Sequence, residues 1–438
     1  MNLQEKLVHS FKTYDLQLNG SKDAASHQLR KKAMDTFSKI GFPTPKNEEW
    51  KYTNLKRITR TDYNIGSGKT VVIDKATINH YLLEDTDSYR LVLVNGEFQE
   101  SLSNLPEGKI KVSSFADALA NEEADVLKYM TKVAPEDHPM VALNTAMALD
   151  GVYIHVSKGA VVDKLVELLF ITDGGATDTL LNHRNLIVVE DNAQIQLLER
   201  HRSISNCEVF TNVVTEAFVG KDAHYKHYKI QNDNDKAALV DNTWVQQETQ
   251  SVATVDTFSF GGKFIRNNLS FMLKGEHCES NMDAITINGE GQLTDHHTFV
   301  DHAIPNCNSN QLYKAIYDGN AKGVFNGKIM VQCDAQKTNA FQQNNNVLLS
   351  DRATIETKPQ LEIFADDVAC SHGCTVGQID DDAMFYMRSR GIAEREAKAI
   401  LLYAFSNDAL KNVGIPELKN KINKLIAKRL SVDIDFDL

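Results

Sequence analysis

The sequence is poor in cysteine, tryptophan and proline, and it lacks long apolar runs. Its 438 residues include only 6 cysteines, which are too sparse for the disulfide framework of a small secreted protein. No stretch approaches the roughly eighteen consecutive apolar residues of a membrane-spanning helix. The first residues carry charges throughout and lack the apolar core of a signal peptide. We therefore expect a soluble, cytoplasmic protein of a reducing compartment, without a membrane segment.

Basic residues are also in deficit. The chain has 47 Lys and Arg against 59 Asp and Glu, so its formal net charge is −12. A surface that binds nucleic acid usually carries a basic stripe, and this balance argues against one. Hydrophobic residues make up 42% and charged residues 24%, close to the globular average, so the chain can bury a sizeable core.

Residues 1–150 predict a mixed N-terminal domain that is largely helical. Leu3, Leu7 and Phe11 recur at helical spacing, and residues 115–130 and 139–149 show similar patterns. Short apolar runs between residues 70 and 115 are typical of strands. The sequence therefore indicates an α/β domain over this range.

Residues 151–387 have a different character, because short runs of Val, Ile, Thr and Phe replace the helical patterns. Small or apolar residues take the odd positions from Cys207 to Val219, which predicts a strand. A turn containing alanine recurs at positions 160, 193, 223, 321 and 353, and these are separated by 33, 30, 98 and 32 residues. If 98 counts as three intervals, the period is about 33 residues, which is typical of a β-solenoid. We favour a parallel β-helix, with two packed antiparallel sheets as the alternative.

Two short amphipathic helices are predicted in residues 388–438. The first has one apolar face formed by Ala397, Ile400, Leu401, Ala404 and Phe405. The second follows Pro416 and has an apolar face formed by Leu418, Ile422, Leu425 and Ile426. Two such helices cannot form a core alone, so we expect them to pack on the end of the solenoid or on a partner.

One apparent phosphate-binding loop is discarded. The segment Gly66-Ser67-Gly68-Lys69-Thr70 resembles the end of such a loop, but Tyr63 stands where the full pattern requires glycine. A strand-like run follows it instead of the helix whose N-terminus would meet the phosphates. The chain is therefore not expected to bind ATP through this segment.

A dense group of histidines and aspartates lies between residues 295 and 302. It contains Asp295, His296, His297, Asp301 and His302, all of which are possible metal ligands. On a strand, however, His296 and His302 would face one way and His297 the other. A structural role is therefore favoured over a metal site.

The most specific chemical feature is Cys370-Ser371-His372-Gly373-Cys374. If the segment is extended, Cys370, His372 and Cys374 all face one side and form a row of ligands suited to iron or zinc. Neighbours in such a row are about 6.6 Å apart along the strand, whereas ligands lie about 2.0–2.3 Å from a zinc ion. The row is therefore better suited to an open site that a partner completes. The alternative is packing, since buried cysteine is commonly a small hydrophobe.

The residues around this row resemble a known family. The segment from Lys358 to Val368 runs into the Cys-Ser-His-Gly motif and continues to Gly391-Ile392. This block resembles the SufB/SufD family of the SUF iron–sulfur cluster assembly machinery, closely in its SufD branch and more distantly in SufB. Further similar segments are Pro43–Thr53, Gly261–Asn267 and Phe325–Thr338.

The resemblance implies a right-handed parallel β-helix between an N-terminal domain and a C-terminal helical segment. It also implies pairing with SufB, and binding of the ATPase SufC through the C-terminal helices at residues 392–430. In the family, a nascent iron–sulfur cluster or iron is shared at the SufB–SufD interface. The residues here that match its ligands are His372 and, as a second candidate, Cys370. Cys374 departs from the SufD pattern, which has alanine at this position.

Further properties of the family are expectations only. Some SUF complexes bind reduced flavin, but the sequence contains no flavin motif, and the isolated chain could form a homodimer. The resemblance implies a scaffold and not a catalyst. Two rival hypotheses stay open: a zinc-structural interaction module that uses Cys370, His372 and Cys374, and a β-helix enzyme that acts on polysaccharides.

Overall fold

The computed structural model describes residues 1–17, 24–65, 73–106 and 108–430. Strands account for 41% of the chain and helices for 26%, so the mainly β class is confirmed. Most strands form a parallel β-solenoid of about eight turns, with helices on its N-terminal side and after its last turn. Within the described ranges, no helix is long and apolar enough to cross a membrane. The discarded phosphate-binding loop at residues 66–70 lies outside the described residues, as do residues 71 and 72 of the strand-like run that follows it.

The strands have the following bounds in chain order: β1 (Asn64–Ile65), β2 (Tyr89–Val94), β3 (Glu97–Phe98), β4 (Ile110–Ser114), β5 (Asp150–Val156), β6 (Val166–Thr172), β7 (Thr179–Val189), β8 (Gln194–Ser203), β9 (Val209–Val219), β10 (His224–Gln231), β11 (Ala237–Gln247), β12 (Val252–Ser259), β13 (Phe264–Leu273), β14 (Glu279–Asn288), β15 (Leu293–His302), β16 (Asn308–Tyr317), β17 (Lys322–Val331), β18 (Asn339–Leu348), β19 (Thr354–Ile363) and β20 (Ala369–Gly377). The helices are α1 (Leu3–Gln17), α2 (Ala25–Ile40), α3 (Lys75–Tyr81), α4 (Phe115–Asn121), α5 (Glu123–Tyr129), α6 (Pro139–Met147), α7 (Asp381–Ser389), α8 (Glu394–Asn407) and α9 (Pro416–Arg429). Short 3₁₀ turns lie at Glu48–Trp50, Leu55–Arg57, Glu100–Leu102 and Asp408–Leu410.

Each turn of the solenoid contributes one strand to each of two sheets. The first sheet has the order β19-β17-β15-β13-β11-β9-β7-β5-β4, with β1 beside β7, and the second has the order β20-β18-β16-β14-β12-β10-β8-β6-β2-β3. Neighbouring strands from β5 to β20 are parallel, so the alternative of two antiparallel sheets is wrong. The antiparallel pairs among the described strands are β2 with β3 and β4 with β5, at the N-terminal end of the stack.

The repeat is shorter and less regular than the sequence suggested. Residues in register on neighbouring turns are as close as Ala238 and Phe264, 26 apart, and as distant as Asp150 and His183, 33 apart. The alanines at 160, 193 and 223 precede strands of the second sheet, whereas those at 321 and 353 precede strands of the first sheet. They therefore occupy two different corners, and the separation of 98 residues is not a whole number of turns.

The strands of the solenoid are covered on both faces, and the interior is apolar in large part but also contains the buried ion-pair group of Glu199, Lys229 and Asp241. Residues 166–172 of β6 read Val-Glu-Leu-Leu-Phe-Ile-Thr and are all buried, as expected for a strand covered on both faces.

Asparagine side chains also form hydrogen bonds between adjacent turns. Asn242 Nδ2 lies 3.3 Å from Asn212 Oδ1, and Asn339 Nδ2 lies 2.9 Å from Asn308 Oδ1. The second of these pairs lies in the asparagine-rich stretch of residues 305–346.

N-terminal helices cover the outer face of the first sheet. Helix α6 packs directly on it and α1 and α2 pack on α6, so the predicted apolar face of Leu3, Leu7 and Phe11 is buried in the same cluster as Phe210. Strands β2, β3 and β4 of this part belong to the two sheets, so the solenoid begins before the predicted boundary at residue 150.

C-terminal helices cover part of the outer face of the second sheet. Leu402 of α8 and Ile422 of α9 pack in one cluster with Tyr228 and Phe258 of the sheet. The helical part begins at Asp381, seven residues before the predicted start at residue 388. The helices therefore pack on the solenoid, but along the side of the second sheet and not at the end of the solenoid as predicted. No described residue of α7 is buried.

Candidate functional site

The row of candidate ligands lies on the last strand of the solenoid. Cys370, His372 and Cys374 all belong to β20, which is extended as the sequence predicted. β20 is at the end of the second sheet and hydrogen-bonds to β18 on one side, with no described strand on the other. Alternate residues of a strand share a face, so the three side chains project to the same side.

That side is the interior side of the coil. Cys370, His372 and Cys374 lie in register with Ala340, Gln342 and Asn344 of β18. These three partners are 0%, 1% and 2% exposed, since β20 covers them. The row continues the same interior columns, but no described turn follows, so His372 and Cys374 are exposed and Cys370 is half-buried. We call this uncovered surface, formed by β19 and β20, the open end.

The interior becomes polar just beneath the open end. Gln342 Nε2 lies 3.2 Å from Gln311 Oε1, and Thr298 Oγ1 donates to the same oxygen at 2.7 Å. In register with these residues, deeper turns have Met282 and Val255 instead. His372 is therefore stacked on a ladder of side-chain amides and not on an apolar core.

The two cysteines of the row have different surroundings. Burial raises the pKa of the Cys370 thiol, although a backbone hydrogen bond from Ala340 opposes this. Cys374 Sγ lies 3.3 Å from Thr357 Oγ1 on β19, and Thr357 Oγ1 donates to Asn344 Oδ1 at 3.0 Å. Cys370 is thus held as a thiol, and Cys374 faces the other edge strand across the open end.

The geometry does not close a metal site within the described part of the chain. Among the residues that the structure describes, no group of three or more His, Cys, Asp and Glu side chains is arranged to hold a metal ion. This agrees with the spacing of about 6.6 Å between neighbours in the row. Each residue can contribute one ligand, and further ligands would have to come from outside the chain.

The histidine and aspartate group on β15 is structural. His296 faces the interior and lies 3.0 Å from Thr286 Oγ1, and His302 lies 2.8 Å from Ser309 Oγ. His297 faces outward, 3.1 Å from Glu49 and 3.2 Å from Asp295. The three rings are divided between two faces, as the strand pattern predicted.

Sequence reasoning missed the role of the segment around Trp50. The Arg266 guanidinium lies 4.3 Å from the Trp50 ring centre and its Nη1 lies 2.5 Å from Asp295 Oδ2. Burial alone would raise the pKa of Asp295, but Arg266 and His297 outweigh it and hold that pKa well below the usual range. The segment is thereby fixed to the outer face of the first sheet.

This fixation reaches the last turn. Glu48 accepts a hydrogen bond from Lys358 Nζ of β19 at 2.9 Å, next to Thr357 at the open end. The segment Pro43–Thr53, which contains Glu-Glu-Trp followed by Lys-Tyr-Thr, resembles a family motif. Nothing in the sequence, however, indicates that it contacts residues 266, 295 and 297.

Comparison with known proteins agrees with this architecture. Residues 170–405 match the family model described as SUF system FeS cluster assembly, SufBD core domain, and residues 1–168 match the SufBD protein N-terminal region. The chain belongs to the SufBD family. The resemblance given by the Cys-Ser-His-Gly block is therefore confirmed.

Several curated relatives are similar over nearly their whole length. An iron-sulfur cluster assembly SufBD family protein of Synechocystis is 32% identical over 423 residues, covering 94% of this chain and 93% of that protein. Iron-sulfur cluster assembly protein SufD of Escherichia coli is 30% identical over 398 residues, covering 90% of each chain. SufD of Bacillus subtilis is 24% identical over 416 residues, covering 92% of this chain and 93% of that protein.

Proposed function

We propose that this chain is a SufD-like scaffold that pairs with SufB through the open end and offers His372 as a ligand for iron or a nascent iron–sulfur cluster. One observation carries the proposal. The row of Cys370, His372 and Cys374 lies on the uncovered interior face of the last strand, where a second chain can reach it. The iron and sulfide are cargo in this proposal, and the chain has no catalytic residue.

The open end has the features of a surface that another chain covers. An edge strand presents unpaired backbone N–H and C=O groups, which favour pairing with a further strand. Both β19 and β20 are such edges among the described strands. Apolar side chains remain exposed beside them, with Ile363 at 39%, Phe364 at 58% and Val376 at 49%. A β-helix partner of the same family, SufB, could continue both sheets and complete the ligand set.

The ligand roles follow from the chemistry of the row. A neutral imidazole nitrogen of His372 can donate to iron while the other nitrogen is oriented by a hydrogen bond. Cys370 must lose its proton to bind metal, and its raised pKa means that binding would release that proton. Cys374 is the weakest candidate because Thr357 already occupies its surroundings at 3.3 Å.

The C-terminal helices provide a separate surface for the ATPase SufC. The observed buried face of α8 contains Ala399 and Leu402, whereas Ile400 of the predicted face is 40% exposed. Phe385 and Tyr386 of α7 are 74% and 59% exposed. Such neighbouring apolar side chains are typical of a docking surface.

The two surfaces are joined by a short connection. Only residues 378–380 separate β20 from α7. An ATP-driven movement of SufC bound at α7 would therefore act directly on the strand that carries His372, and could open or close the interface with SufB.

Anaerobic reconstitution of the complex with SufB and SufC tests the ligand role. We expect His372→Ala to lower the rate and yield of cluster assembly, read from sulfide counts and the visible absorbance. Ser371→Ala is the matched control, since Ser371 is the neighbouring exposed residue on the opposite face of β20. Assembly by His372→Ala at the wild-type rate and yield would contradict the proposal.

Metal and activity measurements separate the two rivals. Stoichiometric zinc in chain purified without oxygen, lost in Cys370→Ser, would favour the zinc-structural module. Cleavage of polyuronides by the purified chain would favour the polysaccharide enzyme. The proposal expects substoichiometric iron and sulfide instead, and no cleavage.

A further inference from the structure

Two buried cysteines lie on adjacent turns at one corner of the solenoid. Cys278 precedes Glu279 and Cys307 precedes Asn308, and Glu279 and Asn308 are in register on β14 and β16. Both cysteines are 0% exposed, and both are free thiols. Adjacent strands lie about 4.8 Å apart, within the Cα–Cα range of about 4.4–6.8 Å that disulfides span.

The two sulfur atoms share one hydrogen-bond acceptor. Cys278 Sγ lies 3.1 Å and Cys307 Sγ 3.2 Å from the carbonyl oxygen of Gly275. A Cβ atom at residue 275 would collide with the backbone of Thr249, so the chain requires glycine here and the carbonyl is held in place. Both thiols are thereby directed to the same point.

The thiols also interact with each other. Their side-chain interaction lowers the pKa of Cys278 and raises the pKa of Cys307. The lowered pKa favours Cys278 as the nucleophile, and both sulfur atoms lie at one carbonyl oxygen. A nucleophilic sulfur next to a second thiol is the arrangement that forms a disulfide on oxidation.

Other turns place small, non-cysteine residues at this corner. Ala193, Ala223 and Ser251 take the equivalent positions before β8, β10 and β12, and Thr338 takes it before β18. A small side chain is all that the packing requires, so packing alone does not explain two thiols on adjacent turns. The exposed residues Glu276 and His277 form the turn that lies over the pair.

We propose that Cys278 and Cys307 form a redox modification site that hydrogen peroxide converts to a disulfide joining adjacent turns. The Cys278 thiolate attacks a peroxide oxygen, which breaks the O–O bond and gives a sulfenic acid and, after protonation, water. The Cys307 thiol then attacks this sulfenic sulfur, forming the S–S bond and releasing a second water. The two thiols are oxidised by two electrons in total, and one peroxide is reduced to two waters.

Peptide mapping of the full-length chain tests this site. Trypsin leaves both cysteines in the peptide of residues 275–314, because no Lys or Arg lies between Gly275 and Lys314. After peroxide treatment of the reduced, folded chain and alkylation with iodoacetamide, we expect this peptide to lose 2 Da and to carry no alkyl group. Cleavage after Glu279 and Glu290 should then leave two fragments joined until dithiothreitol is added.

A cysteine variant and a measurement of thermal unfolding make the test specific to this pair of thiols. Cys278→Ser copies Ser251 of the preceding turn, so it is compatible with the packing, and we expect it to abolish the crosslink and leave Cys307 alkylated. We also expect peroxide to raise the thermal unfolding midpoint of the wild-type chain, and dithiothreitol to reverse that rise. The proposal is overturned if exposed Cys333 is fully oxidised while Cys278 and Cys307 both remain alkylated, or if they give only sulfinic and sulfonic acids.

Discussion

The two ends of the solenoid differ in the direction of their edge strands and in their burial. At the N-terminal end, β4 runs antiparallel to β5 and the two-residue strand β3 runs antiparallel to β2, so the parallel repeat stops there. Leu91 and Leu93 of β2 are 0% exposed and belong to the interior cluster of the solenoid, against which Phe98 of β3 packs. At the C-terminal end, eight of the nine residues of β20 are exposed.

This difference shows that the sequence can close a solenoid end but does so at one end only. Short antiparallel edge strands are a usual means of preventing further pairing. The open end instead retains full-length edges of ten and nine residues in β19 and β20. We interpret the asymmetry as a division between an end built for stability and an end kept for a partner. The following predictions test that division.

The largest effect is expected at the closed end. Leu93→Ala should lower the free energy of unfolding by about 2–5 kcal/mol, since it removes a fully buried side chain and leaves a cavity. Urea titration of the isolated chain measures this as a lower midpoint with an unchanged slope. A loss below about 0.5 kcal/mol would show that the first turn is not packed as described.

A smaller effect is expected on the covered outer face of the second sheet. Asp256 lies opposite Asp283 on the neighbouring strand, beneath the segment that contains Asn412, and neither Asp256 oxygen has a hydrogen-bond partner. Burial raises the pKa of Asp256 well above its usual value, and the neighbouring Asp283 raises it further. The folded chain therefore holds this proton more tightly than the unfolded chain, so stability should fall as pH rises above about 4.

Asp256→Asn removes that titration. We expect it to raise the free energy of unfolding near neutral pH by about 1 kcal/mol, and to reduce the decline measured between acidic and neutral pH. Thermal unfolding across a pH series measures both. Asp318→Asn is the control on an exposed carboxylate, and an unchanged pH dependence in Asp256→Asn would contradict the assignment.

The smallest effect is expected at the open end. Val376 is 49% exposed, so Val376→Ala should change the free energy of unfolding of the isolated chain by less than about 0.5 kcal/mol. The same substitution should weaken binding to SufB, because the side chain would be buried in that complex. A large loss of stability together with unaltered binding to SufB would contradict the account, because the open end would then support stability and not partner binding.

The alternation of apolar and polar residues, together with the turn residues, was sufficient to predict the β-solenoid and the extended row on β20. They were not sufficient to give the repeat, since Ala160 and Ala321 lie at different corners with similar local sequences. The predicted apolar face of α8 was rotated, because Ala399 packs on the second sheet while Ile400 stays outside. The pattern of apolar residues along a helix does not show which of its faces will pack against the rest of the same chain.

The contacts of Trp50 illustrate a second limit. The residues that fix it, Arg266 and Asp295, are more than two hundred positions away in the sequence. Local patterns describe strands and turns, whereas such pairings depend on the path of the whole chain. The row of candidate ligands could be found only because its three residues lie on one strand.

Hydrogen–deuterium exchange of β20, with and without SufB, tests the central claim most directly. In the isolated chain, the backbone amides of Ser371–Thr375 that do not bond to β18 should exchange rapidly. In the complex with SufB and SufC, we expect their exchange to slow by about tenfold or more, while the buried amides of β2 are unchanged. Equal exchange of these β20 amides in both samples, with new protection elsewhere, would show that the open end is not the surface that the partner covers.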